Sequence, residues 1–250
     1  MAATFEEFLV EAEAEPVEGW DFSWFDGRAT EERPSWGYSG LLGERMAKAT
    51  AALDLQTGGG EVLARIPHPP KLLVATEGWP PNAEVARRNL AALGATVVEV
   101  PEDADLPFAD ESFDLVVSRH PIVTNWDELA RVLRPGGTYL SQRVGAGSNR
   151  ELSEAMMGPL PPVDENSARK TAAAAEAANL TVVDLREESL RVVFDDIGAV
   201  AYFLRKVLWT VPGFTIDKYR PQLAELHKKI VDEGSFVAHS KRFLIEARKR

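Results

Sequence analysis

The sequence predicts an α/β fold built on a parallel, doubly wound sheet, and three observations predict it. Short β-rich runs at residues 71–76, 96–100, 113–118 and 138–141 alternate with amphipathic helical stretches, the pattern that lays strands side by side and packs helices on both faces. An apolar run ending at Asp54 passes through Gly58-Gly59-Gly60 into residues 62–66, so that strand, glycine turn and helix follow one another. The 250 residues suffice for one large domain that buries roughly 70–75% of its unfolded surface.

Taken in order, residues 4–15 form an acidic helix with Phe5, Phe8, Leu9 and Ala12 at helical spacing. Residues 19–38 carry Trp20, Phe22, Trp24, Phe25, Trp36 and Tyr38 among Gly, Pro and charged residues; the segment either packs these rings on the core or forms a lid that walls a ligand pocket. A helix over 39–49 leads to the first strand and the glycine turn. The second strand, 71–76, ends before Glu77. A helix over 82–93 places Val85, Ala86, Leu90 and Leu93 on one face and stops at Gly94. The third strand is 96–100 and the fourth 113–118. A helix with Leu129, Val132 and Leu133 stops at Pro135-Gly136-Gly137, and the fifth strand follows at 138–141. Beyond a proline loop at 159–162, an alanine-rich helix spans 165–178. Two β segments, 180–184 and 191–194, flank a turn. Helices over 197–208 and 219–232 precede a last strand over 236–247.

Composition removes whole classes of chemistry. There are no cysteines, so disulfides, thiolate nucleophiles and cysteine-ligated zinc are excluded. His68, His120, His227 and His239 show no paired-ligand spacing, which argues against a metal. The first residues lack a basic and then apolar signal pattern, and no apolar stretch spans a membrane, so a cytoplasmic location is expected. A net charge of −11 opposes broad binding to a phosphate backbone. Arg205-Lys206, Lys228-Lys229 and Arg248-Lys249-Arg250 are the basic runs, and each reads best as solvated surface.

Chemistry gathers at the strand ends. Glycine lets backbone N–H groups approach a ligand closely. Glu77, about twenty residues beyond the turn, stands where an acid accepts ribose hydroxyls. Asp103 and Ala104 follow the third strand. His120 follows the fourth, at the carboxyl edge where open α/β sheets bind ligands, and its unperturbed pKa suits a general base.

The ordered pieces Leu53-Asp54-Leu55-Gln56-Thr57-Gly58-Gly59-Gly60, Ala75-Thr76-Glu77, Asp103-Ala104-Asp105-Leu106-Pro107-Phe108, Phe113 to Ser118, and Leu129 to Gly137 resemble the class I S-adenosylmethionine-dependent methyltransferases. The resemblance covers residues 45–145. It implies a mostly parallel seven-stranded sheet of order 3-2-1-4-5-7-6 with the seventh strand antiparallel, an N-terminal helix and lid over 1–38, and a cofactor-binding domain over 39–250. It further implies S-adenosyl-L-methionine as cofactor, held by Asp54, Gln56, Thr57, Gly58, Gly60, Glu77, Gly78, Trp79, Asp103, Ala104 and Ser118. Two departures stand out. Gln56 replaces a usual glycine, so the turn bends differently or offers an amide to the ligand. The Asp103 to Phe108 piece is one residue short, so Glu102 is an alternative adenine contact.

The activated sulfonium methyl leaves the protein mainly the task of aligning the acceptor. Acceptor contacts are expected from Trp20, Trp24, Trp36, Tyr38, Gln142, Arg143, Arg205 and Trp209, with Arg33 available to the cofactor carboxylate. The aromatic segment and acidic surface favour a small-molecule acceptor methylated on O or N. Residues 145–152 and the region around Trp209 and Pro212 also resemble ribosomal RNA guanine methyltransferases, which begin with a cysteine zinc module that this chain lacks. A fold that kept its cofactor and lost turnover is the third reading.

Overall fold

A computed structural model of the chain describes residues 3–17 and 22–250. In chain order the elements are helix α1 (Phe5–Ala14), strand β1 (Ala29–Glu31), α2 (Tyr38–Met46), β2 (Ala51–Leu55), β3 (Leu72–Glu77), α3 (Pro80–Leu90), β4 (Thr96–Glu99) and β5 (Phe113–Arg119). Then follow α4 (Trp126–Val132), β6 (Leu133–Val144), α5 (Arg150–Met157), α6 (Ala168–Ala177), β7 (Leu180–Phe194), α7 (Ile197–Lys206), α8 (Arg220–Glu233) and β8 (Phe236–Lys249). The chain forms two compact units. One comprises residues 1–33, 146–164 and 189–241; the other comprises 34–145, 165–188 and 242–250.

The second unit is the doubly wound part. Strands β2, β3, β4, β5 and β6 pair in parallel, and β6 pairs antiparallel with β8. Alternate residues face opposite ways along a strand, and the core obeys that rule. Ala52, Leu115, Val117, Leu140 and Leu244 join Leu42, Met46, Ala86 and Leu90 of α2 and α3 in one cluster. Leu53, Val116, Tyr139, Phe243 and Ile245 join Leu129 and Val132 of α4 and Ala168 and Ala175 of α6 in another. Both faces of the sheet are therefore covered, as a buried parallel sheet requires.

In the first unit α1, α5, α7 and α8 bury one shared cluster that includes Leu9, Leu152, Val200, Leu204, Leu223 and Ile230. Local chemistry sets the ends of these helices. Thr4 and Glu7 close a capping box at the start of α1, and the Asp196 side chain caps α7 through Ala199 N–H at 2.8 Å. Arg28 grips the Asp196 carboxylate with two bonds of 2.8 and 3.0 Å and lies 3.8 Å from the Trp24 ring.

Several expectations need correction. The sheet has eight strands, not seven, in the order β1-β7-β8-β6-β5-β2-β3-β4. The addition is β1, a three-residue strand from the aromatic segment that pairs antiparallel with β7. The two β segments at 180–184 and 191–194 are one continuous strand, because the charged residues between them alternate on an extended, largely exposed ladder rather than turning. The helix expected at 62–66 is only a 3-10 turn, Leu63–Arg65. The fifth strand starts at Leu133 instead of 138, with Gly136 at φ 74° carrying the chain through an irregular register.

Candidate functional site

The glycine turn follows β2. Gln56, Gly58 and Gly60 all have positive φ, at 55°, 64° and 75°. A Cβ on Gly60 would lie 2.9 Å from Leu90 Cγ, so both its backbone angle and its closeness to α3 require glycine. Thr57 N–H donates to Thr76 O at 2.8 Å, and Thr57 Oγ1–H donates to Asp54 Oδ2 at 2.7 Å. Gln56 does not hold out a free amide. It adopts the left-handed angle at a cost of about 1–2 kcal/mol. Its amide is taken up by the loop after β5: Nε2 donates to Val123 O at 2.6 Å, and Ile122 N–H donates to Oε1 at 2.7 Å. Two bonds worth about 1 kcal/mol each offset that strain.

Carboxylates line this edge. Glu77, buried at the end of β3, accepts from Gly58 N–H at 2.8 Å and Trp79 N–H at 3.0 Å. Burial raises its pKa despite those bonds, and Glu102 adds like charge. A Cβ on Gly78 would sit 2.9 Å from the Glu102 carboxyl, so that acid lies close to the backbone at the end of β3. Burial brings Asp54 to a pKa of about 7. Among the described residues no cationic side chain pairs with Asp54, Glu77 or Glu102. Beside them an open cleft is lined by Leu55, Gln56, Thr76, Glu102, Ala104 and Thr124 among others. Glu102 and Ala104 reach it; Asp103 is exposed and is not part of its lining. Trp79 is 45% exposed, a ring left open to contact.

The ends of β5 and β6 carry different chemistry. Trp36 Nε1–H donates to Gln142 Oε1 at 2.9 Å. An indole N–H only donates, so the oxygen of Gln142 faces it and the amide nitrogen faces His120 Nε2, 3.1 Å away. That nitrogen also only donates, which makes His120 Nε2 the acceptor and leaves the ring proton on Nδ1. Burial and the charges of Arg119, Arg242 and Arg143 hold the His120 pKa well below its ordinary value. The ring is neutral and its basic lone pair is already engaged. The backbone of His120 is also left-handed, at φ 56°.

Ser118 turns its hydroxyl inward, to Tyr139 OH at 2.8 Å and Ser141 Oγ at 2.9 Å. Tyr38 OH donates to Ser118 O at 3.0 Å, and Tyr38 and Trp36 are both buried. Arg143, only 7% exposed, donates through Nη1 to Thr124 Oγ1 at 2.8 Å and Tyr139 OH at 3.3 Å. Thr124 also lines the cleft.

The remaining expected contacts lie in the other unit. Trp24 stacks on Tyr202 at 4.8 Å as well as on Arg28. Arg205 Nη1 donates to the carbonyls of Ala12 and of Glu15, closing the carboxyl end of α1. Trp209 is 47% exposed and Arg33 is exposed. Trp20 lies outside the described residues. The residues that sequence reasoning passed over are Arg119, Arg242 and Thr124, which carry no motif and gain meaning only from the register that sets them near His120 and Arg143. Among the described residues no helix is long and apolar enough to cross a membrane, and no three acidic or histidine side chains group to hold a metal.

Comparison with known proteins agrees with this geometry. Residues 53–141 match a family model described as a methyltransferase domain. A curated malonyl-[acyl-carrier protein] O-methyltransferase of Marinomonas sp. (strain MWYL1) is 25% identical, over 80% of this chain and 81% of that protein. The structure is similar to the YcgJ protein of Bacillus subtilis, with a TM-score of 0.62 and 19% identity over 85% of this chain and 97% of that one. It also resembles geranyl diphosphate methyltransferase in complex with SAM, with a TM-score of 0.53 and 13% identity over 85% and 84% of the two chains. The matched segment, from β2 to the middle of β6, holds the glycine turn, Glu77 and the cleft, so the part of the chain that carries the candidate site is the part that is similar to a methyltransferase domain.

Proposed function

We propose that this protein transfers the methyl group of S-adenosyl-L-methionine to an oxygen or nitrogen atom of a small molecule. The observation that carries the reading is Glu77: a buried carboxylate, oriented by Gly58 and Trp79 N–H groups beside a glycine turn, with no cation of its own. Such an acid suits a ligand that brings vicinal hydroxyls, and the neighbouring Asp54 and Glu102 suit one that brings positive charge. Glu102 and Ala104 are placed to meet the adenine edge, with Glu102 preferred to Asp103, and Trp79 to cover its face. When bound, the cofactor supplies a methyl group already activated on sulfur. The chain's own work is to orient the acceptor and exclude water, which suffices for large rate effects. The curated relative is named a malonyl-[acyl-carrier protein] O-methyltransferase, which favours an acidic acyl acceptor over RNA, as does the net charge of −11.

Titration calorimetry tests the cofactor. Binding of S-adenosylmethionine with no binding of a nicotinamide dinucleotide is the expected result, and the reverse would sink the reading.

A further inference from the structure

Arg143 poses a problem that the rest of the sheet does not. A guanidinium with nine-tenths of its surface buried is costly unless paired, yet its hydrogen-bond partners are two neutral hydroxyls, Thr124 Oγ1 and Tyr139 OH. No carboxylate pairs with it among the described residues. Both hydroxyls are bound through Nη1, so Nε and Nη2 make no protein hydrogen bond, and neither is among the sealed, unsatisfied polar atoms. Two donors of a rigid fork therefore stay open to solvent-accessible space, the arrangement that takes an oxyanion with two bonds.

The register gathers more positive charge nearby. Arg119, the last residue of β5, lies opposite Gln142 on β6, and Arg242 on β8 lies opposite Val144. His120, bonded to that same Gln142, stands next to Arg119 in the chain. Arg119 and Arg242 act on His120 as nearby positive charge and have contacts of their own; the open fork is that of Arg143.

The same place lacks a free base. The Nε2 lone pair of His120 is engaged by Gln142. The Tyr139 hydroxyl is held by Ser118 and Arg143, and that of Tyr38 donates to Ser118 O. Among these three described side chains, an acceptor that must lose a proton finds none free to take it.

We infer that the acceptor is a small carboxylic acid, held as the carboxylate by Arg143 and methylated on oxygen to its methyl ester. This rests on the methyltransferase reading above. The step balances without a base: the carboxylate oxygen forms the new O–CH3 bond, the S–CH3 bond breaks with its electron pair remaining on sulfur, and the negative charge of the acid and the positive charge of the sulfonium disappear together. No proton moves. A carboxylate is already ionised near neutral pH, so a neutral, occupied His120 is no handicap.

The test supplies the whole protein with methyl-labelled S-adenosylmethionine and a small-metabolite extract split by anion exchange into acidic and non-acidic fractions. Label is expected in the acidic fraction, and mild alkali should release it as volatile methanol, as only an ester does. For the labelled acid, Arg143→Gln should raise KM on the order of 100-fold and Arg143→Lys, which keeps the charge but loses the fork, on the order of 10-fold. Cofactor affinity should stay within about 3-fold in both variants, and Tyr139→Phe should leave the acceptor KM within about 3-fold, which separates recognition from loss of the buried bonds. Label confined to the non-acidic fraction or to RNA, label stable to alkali, cofactor binding with no transfer to acids, or an Arg143→Gln KM equal to that of the unaltered protein would each overturn the inference. Failure to bind S-adenosylmethionine at all would instead remove the methyltransferase reading on which it rests.

Discussion

The carboxyl edge of the second unit's sheet has two ends of opposite character. At β2, β3 and the turn after β4 stand Asp54, Glu77 and Glu102, carboxylates with no cationic partner among the described residues, the first two held by hydroxyl and backbone donors. At β5, β6 and β8 stand Arg119, Arg143 and Arg242, and Arg143 has hydroxyls but no carboxylate. Arg143 and the three carboxylates, which would neutralise one another in an ordinary core, are held apart by strand order. A buried charge without its partner costs stability, and natural chains keep such arrangements where a ligand completes them. The comparison teaches that the two ends are half-sites for unlike ligands, a polyhydroxylated cation at one and an anion at the other.

Breaking the acidic end should have the largest effect. Glu77→Ala is expected to weaken S-adenosylmethionine binding by about 1–3 kcal/mol, the value of a charge-assisted hydrogen bond, while leaving the acceptor KM near its original value. Calorimetry checks this, and unchanged affinity would remove Glu77 from the cofactor site. Next comes the junction of the two ends, where Gln56 ties the turn to the loop at 122–123. Gln56→Ala keeps the strained φ and loses both bonds, so it should cost about 2 kcal/mol in denaturant unfolding. Gln56→Gly relieves the strain as it loses the bonds and should cost under about 1 kcal/mol. Equal losses in the two variants would mean that the left-handed angle carries no strain.

The two ends should also respond to pH in opposite directions. Asp54 has a folded pKa of about 7, raised above its unfolded value, so between about pH 4 and 7 the folded state binds more protons and stability falls as pH rises, by at most about 1.4 kcal/mol per pH unit. The folded pKa of His120 lies well below its ordinary value, so in the acid range the unfolded state binds more protons and stability rises with pH up to about 6.5. In the free protein these slopes oppose each other. Asp54→Asn should leave the rising limb alone, read as melting temperature against pH, and an unaltered profile would discard the raised Asp54 pKa. The smallest effect belongs to the hydroxyl network: Tyr139→Phe removes bonds to Ser118 and Arg143 and should cost about 1 kcal/mol of stability.

Much of the fold was legible because period-two apolar runs and glycine stops obey local rules. Leu53, Val116 and Tyr139 face one way and Ala52, Val117 and Leu140 the other, as their alternation in the sequence predicts. The β7 strand was not legible through Arg186, Glu187 and Glu188, because an exposed charged ladder has the composition of a turn. Strand β1 was hidden for another reason: three residues carry no periodicity, and only pairing with Phe194, Val193 and Val192 makes them a strand. At the candidate site, Glu77 and the glycines announced themselves by spacing. The use Gln56 makes of its amide did not, since its partners are backbone groups 66 and 67 residues away. The open fork of Arg143 was equally invisible, because a sequence records which charges are present and not which of them lack a partner.

The short outer strands have a consequence for the molecule at high concentration. The sheet ends on β4 with four residues, and at the other border β1 covers only Val192, Val193 and Phe194 of β7, leaving the charged stretch Asp184-Leu185-Arg186-Glu187-Glu188 of β7 beyond it. Charged side chains along a border strand discourage pairing with a neighbour's strand, and the net charge of −11 repels a second copy of the chain. Strand-to-strand self-association therefore has little to nucleate on, and the protein is expected to tolerate crowding that longer, apolar borders would turn into aggregate.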